Sequence, residues 1–136
     1  MNTATSTDEA AAEARASFSV GGGPRVAAAA RSKVEALKTR LGPVIAGDVE
    51  LLISELVTNS YRHSGHPAEA IGVEVHLEPE KVRCEIVDQG KGFAAAPVPE
   101  SERGEGGWGL LIVDRLADRW GVRSGPPTQV WFEIGR

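Results

Sequence analysis

Apolar positions along this chain recur with two different periods. Between residues 25 and 41, Val26, Ala30, Val34, Leu37 and Leu41 fall three or four apart, which predicts a helix that Gly42-Pro43 stops. A second helix is predicted from Asp48, a candidate N-cap, through Leu52, Ile53, Leu56 and Val57 to about His63, where Ser64-Gly65-His66-Pro67 breaks it. The period then drops to two. Ile71, Val73, Val75 and Leu77 alternate with Gly72, Glu74, His76 and Glu78, as in a strand with one dry and one wet face. Glu78-Pro79-Glu80-Lys81 reads as a turn, and Val82, Cys84 and Ile86 as the second arm of an antiparallel hairpin. A third helix is expected over about 109–119, with Val122 and then Val130, Phe132 and Ile134 on closing strands. Phe18 and Val20 make a short first strand, ended by Gly21-Gly22-Gly23-Pro24.

These elements assemble into an α/β (α+β two-layer) sandwich, three helices covering one face of a mixed, mainly antiparallel sheet. Residues 1–16 contain almost no large apolar side chain and read as a loose tail, leaving 17–136 as a single domain. Residues 93–105 are Ala, Pro and charge without a period, long enough for a loop to suggest a lid.

Composition narrows the function. Of 136 residues, 41% are hydrophobic and 25% charged, as in an ordinary globular protein. The formal charge of −4 and scattered Arg and Lys leave no basic stripe, so direct nucleic-acid binding is not expected. A single cysteine, Cys84, excludes an internal disulfide. No apolar run approaches the roughly 20 residues a membrane span needs, and residues 1–16 lack the features of a secretory signal. A cytoplasmic location is the expectation.

The candidate chemistry lies in three polar segments. On the second helix Asn59 continues the apolar stripe and Glu55 lies at its edge, four residues earlier. A carboxylate and an amide beside Leu52 and Leu56 would be costly without a ligand, although a helix end fraying into solvent would also explain polar residues there. Asp88 is in phase with Val82, Cys84 and Ile86, which turns its carboxylate toward the core if the strand persists. Gly90 and Gly92 then permit a close backbone approach by a purine. Taken alone, Asp88-Gln89-Gly90-Lys91-Gly92 reads better as a simple turn, a reading that the other two segments reverse. Gly104, Gly106, Gly107 and Gly109 precede the third helix, where free N–H groups and the dipole suit phosphate, and where a hinge is also possible. No P-loop is present, and His63, Ser64 and His66 lie on no nucleophile-elbow or zinc-site pattern.

In order and spacing, Glu55-Leu56-Val57-Thr58-Asn59, Asp88-Gln89-Gly90-Lys91-Gly92 and Gly107-Trp108-Gly109-Leu110 resemble the N-box and the two glycine boxes of the Bergerat-fold (GHKL) ATPases. The small size resembles the anti-sigma-factor serine kinases within that group. The resemblance implies ATP as ligand, with Asn59 coordinating Mg²⁺, Glu55 as general base toward a serine hydroxyl, and Asp88 reading adenine. Gly90, Gly92, Gly106, Gly107, Gly109 and Leu110 would line the nucleotide. It also implies a STAS-domain antagonist as substrate, a sigma factor as further partner, and a homodimer as one expected assembly. Trp108 stands where many of these kinases have Arg, and Arg103 is the one cation of the 93–105 segment. A non-catalytic ATP switch, controlling a partner through that segment, is the alternative. At this length a dimerisation helix pair would not fit, so a standalone domain is expected.

Overall fold

The computed structural model describes residues 14–21, 23–63, 70–90 and 108–136, with only the backbone described for His63, Trp108 and Gly109. Strand β1 (Arg15–Val20) is followed by helices α1 (Val26–Glu35), α2 (Lys38–Leu41) and α3 (Ala46–His63). Hairpin β2 (Ile71–Leu77) and β3 (Lys81–Asp88) comes next, then α4 (Trp108–Leu116), β4 (Arg119–Arg123) and β5 (Thr128–Gly135). The strands form one sheet in the order β1-β2-β3-β5-β4.

Every strand pair among the described residues is antiparallel. The mixed character expected from the sequence is therefore not found there, while the two-layer arrangement holds. Strict alternation explains the layering: in β2 and β3 every second residue is buried and the intervening ones are half-exposed. The buried set, with Val73, Val75, Val82, Cys84, Ile86, Val130 and Phe132, faces Leu52, Ile53, Leu56 and Val57 of α3 and Val113 of α4 in one core. α3 is the central helix, packing on α1, α4, β2 and β3.

Several boundaries differ from the periodicity. β1 begins at Arg15, so Arg15 and Ala16 belong to the sheet rather than to a tail; they pair with His76 and Val75. Residues 1–13 lie outside the described residues. The first predicted helix is broken in two at Ala36 and Leu37, where Leu37 N–H bonds Val34 O at 2.8 Å in a tighter turn. No helix-breaking residue marks that point. α2 ends at Gly42, whose φ of 89° is open to glycine. Its last carbonyls, on Arg40 and Leu41, accept from the Arg136 guanidinium at 2.7 and 3.3 Å. α3 starts at Ala46, two residues before Asp48, which lies in its first turn and acts on the helix dipole instead of capping it. α4 stops at Leu116 rather than running to Arg119, because the Asp118 N–H bonds Glu133 O at 2.9 Å and carries the chain into the sheet.

None of the described helices is long and apolar enough to cross a membrane.

Candidate functional site

The site begins at the end of β3. Alternation places Asp88 on the helix-facing side, and its strand pairing persists to the last residue, opposite Thr128. Asp88 is accordingly 4% exposed. A buried carboxylate needs donors, and Asp88 Oδ1 accepts the Gly90 N–H at 2.7 Å. The turn reading of this segment is thus realised as far as Gly90, where the local turn fixes the carboxylate. An ionised carboxylate has about four acceptor positions, so the one backbone N–H that reaches it among the described residues leaves capacity for a ligand amino group.

Thr128 completes this corner. It is 1% exposed; its hydroxyl donates to Gly90 O at 2.8 Å and accepts from the Gly125 N–H at 3.2 Å. Asp88 and Thr128 therefore hold Gly90 from both sides, by its N–H and by its carbonyl. Sequence reasoning did not single out Thr128. The available signal was a polar residue in phase with Val130, Phe132 and Ile134, on the buried side of its strand.

The second wall is the C-terminal half of α3. Glu55 is half-buried and Asn59 is buried, one turn apart and on one face as their spacing requires. Ser54 Oγ and Thr58 Oγ1 bond back to Leu51 O and Ser54 O at 2.9 and 2.8 Å, so those hydroxyls are satisfied within the helix. Ser60 differs. It is 1% exposed and its Oγ has no hydrogen-bond partner among the described residues. α4 packs on the same helix. Its first described turn contains Trp108, Gly109 and the buried Leu110, so these residues of the second glycine box lie on the helix, and a helix start offers N–H groups of the kind that bind phosphate. Gly92, Gly106 and Gly107, together with segment 93–105, lie outside the described residues.

A buried strand-end carboxylate with its neighbouring glycine clamped, beside a helix carrying a half-buried carboxylate, a buried amide and a buried Ser60 hydroxyl without a partner among the described residues, fits a nucleotide better than a packed core. The family comparison decides the matter: the family model of the histidine kinase-like ATPase domain matches residues 23–134. The chain belongs to this family. It is an ATP-binding, histidine-kinase-like domain.

Among curated proteins, an uncharacterized sensor-like histidine kinase of Chloroflexus aurantiacus is 35% identical over 88 residues, which is 64% of this chain. The chain spans 14% of the length of that relative. Among solved structures, the histidine kinase domain of the Erythrobacter litoralis EL346 blue-light activated histidine kinase aligns with a TM-score of 0.51 and 22% identity, covering 81% of this chain and 61% of that one. The Acinetobacter baumannii histidine kinase AdeS aligns with a TM-score of 0.51 and 17% identity, over 88% and 67% of the two chains. At these identities the structural likeness speaks for the fold.

Proposed function

We propose that this domain is an ATP- and Mg²⁺-dependent protein serine kinase of the anti-sigma-factor type, acting in the cytoplasm on a STAS-domain antagonist and sequestering a sigma factor. The observation that carries this reading is the pairing of Glu55 and Asn59, one turn apart on α3, with the buried Asp88 at the end of β3, on which α3 packs. Asp88 accepts from an adenine amino group. Asn59 offers a hard amide oxygen of the kind Mg²⁺ prefers. The N–H groups of the first turn of α4 take phosphate oxygens. ATP supplies the transferable phosphoryl group when bound. Glu55, half-buried and beside Asn59, accepts the proton of the attacking serine hydroxyl, a contribution of about 10²–10⁴-fold in rate, with most of the remaining acceleration due to positioning and charge neutralisation.

A second reading is favoured by the Chloroflexus relative, whose name is that of a sensor-like histidine kinase. Here the domain is the ATP-binding half of a kinase whose acceptor is a histidine. A non-catalytic switch, in which ATP binding alone alters a partner surface, is the third. Calorimetric titration with ADP and ATP tests the common core: Asp88→Asn should weaken binding by roughly 10–100-fold, as expected for a lost bond to a charged group, and unchanged affinity would reject the pocket. Incubation with labelled ATP, Mg²⁺ and a STAS-domain protein then separates the readings. Acid-stable label that Glu55→Ala abolishes is expected for serine transfer, acid-labile label for a histidine acceptor, and binding without label for the switch.

A further inference from the structure

The face of the sheet turned away from the described helices carries a second polar cluster, which nucleotide binding leaves unused. Glu74 and His76 are two residues apart on β2 and share that face. The strand register puts Glu85 of β3 directly opposite Glu74, and Arg83 opposite His76. Like charges directly opposite each other weaken an antiparallel pair unless a cation relieves them. Arg83 relieves them in part: its Nε is 3.1 Å from Glu85 Oε1, while its Nη1 is committed to Glu133 at 3.2 Å. His76 Nε2 lies 3.5 Å from Glu74 Oε1, within ion-pair range. That approach does not have the geometry of a hydrogen bond, and the buried ring nitrogen makes none among the described residues. A ring nitrogen 3.5 Å from one carboxylate, with a second carboxylate across the strand pair and no hydrogen bond among the described residues, is the arrangement a metal ion resolves.

We propose that Glu74, His76 and Glu85 bind a divalent transition-metal ion of the zinc or nickel class. One ligand atom from each lies within 4.8 Å of the others. Ligands at about 2.0–2.2 Å on either side of one ion are separated by up to roughly 4.4 Å, so a small torsion of the Glu74 side chain, 42% exposed, closes the site. One imidazole with two carboxylates suits zinc, cobalt or nickel, whereas Mg²⁺ and Ca²⁺ favour all-oxygen sets. The backbone ladder of β2 and β3 holds the three positions in place before the ion arrives. Arg83 orients Glu85 through Oε1, the part that outer partners of ligating carboxylates play. The bound ion ties β2 to β3 on the face opposite the helices, and because it binds only the folded sheet it raises the unfolding temperature.

Titration of the whole chain, free of nucleotide, with ZnCl₂ and NiCl₂ should show saturable binding of one ion that His76→Gln and Glu74→Gln each weaken at least about tenfold. The double variant His63→Gln/His66→Gln should retain wild-type affinity. Ring-nitrogen NMR of the unsubstituted protein provides a readout independent of any folding defect, and the His76 ring resonances should shift with saturation of the site. Full affinity in His76→Gln, loss of binding in the double variant, or His76 resonances unmoved at saturating metal would overturn the assignment.

Discussion

The two faces of the sheet are built from the same strands and solve opposite problems. On the helix-covered face, alternation delivers an apolar core in which Phe132, Ile86, Val82 and Val75 are fully buried. That face ends in a single buried carboxylate, Asp88, held by a backbone N–H. On the open face charged side chains and Trp131 stand among small and polar residues such as Ser17, Ser19 and Gln129, and the buried carboxylate there, Glu133, is held by cations. Lys81 and Arg83 approach its Oε2 at 3.2 Å each, and Arg119 its Oε1 at 3.6 Å. Arg83 also lies over the Trp131 ring, 4.3 Å from its centroid. Glu133 is thereby a closed structural unit with its charge matched, whereas Asp88 retains acceptor capacity toward a ligand. The chemical difference between a structural and a functional carboxylate here is the identity of the donors, mobile side-chain cations in one case and a fixed backbone turn in the other.

The contrast can be broken at four points. Phe132→Ala, on the covered face, should cost about 3–5 kcal/mol in urea denaturation, since it leaves a cavity in the core. Gly121→Ala, on the open face, should cost about 2 kcal/mol, because its Cβ would come 2.7 Å from Trp131 Nε1 and push the indole from beneath Arg83; a change in tryptophan fluorescence would accompany it. Glu133→Gln should cost about 1–2 kcal/mol at neutral pH. Burial alone would raise the Glu133 carboxyl, but hydrogen bonds from Lys81 and Arg83 and the charges of Lys81 and Arg119 hold it below the ordinary value of 4.5. The folded state thus binds this proton less tightly than the unfolded chain. Its contribution is complete above pH 4.5 and is lost as the pH falls through the lowered value, so the gap between wild type and Glu133→Gln should close in acid. A constant gap down to full unfolding would show that charge pairing is not its cause. Lys38→Ala, at an exposed 3.6 Å pair with Glu35 on neither face, should change stability by less than about 0.5 kcal/mol.

Cys84 sets a further contrast with the titrating groups of the open face. Burial, with the Glu85 charge beside it, pushes its thiol well above the usual range, so it behaves as a small apolar core residue on the covered side.

Much of this was legible in the amino-acid order. The hairpin of β2 and β3, the burial of Asp88 and the spacing of Glu55 and Asn59 all follow from periods of two and of about 3.6, which are properties of neighbouring residues along one element. The glycine box before Leu110 announced a helix start for the same local reason. Thr128 was not legible as part of the site, because its role exists only once β5 pairs with β3 and sets it against Asp88 and Gly90. The break between α1 and α2 has no local signature either, since alanine and leucine are good helix formers. The end of α4 was decided by Glu133 O, a sheet partner distant in the chain. The sequence by itself determined the inward-facing positions of the central hairpin and of α3, and the elements that carry Glu55, Asn59 and Asp88. Register, the all-antiparallel pairing of the described strands, the clamp on Gly90 and the cluster of Glu74, His76 and Glu85 were decided by tertiary structure, because strand pairing brings together residues whose separation along the chain carries no trace of their contact.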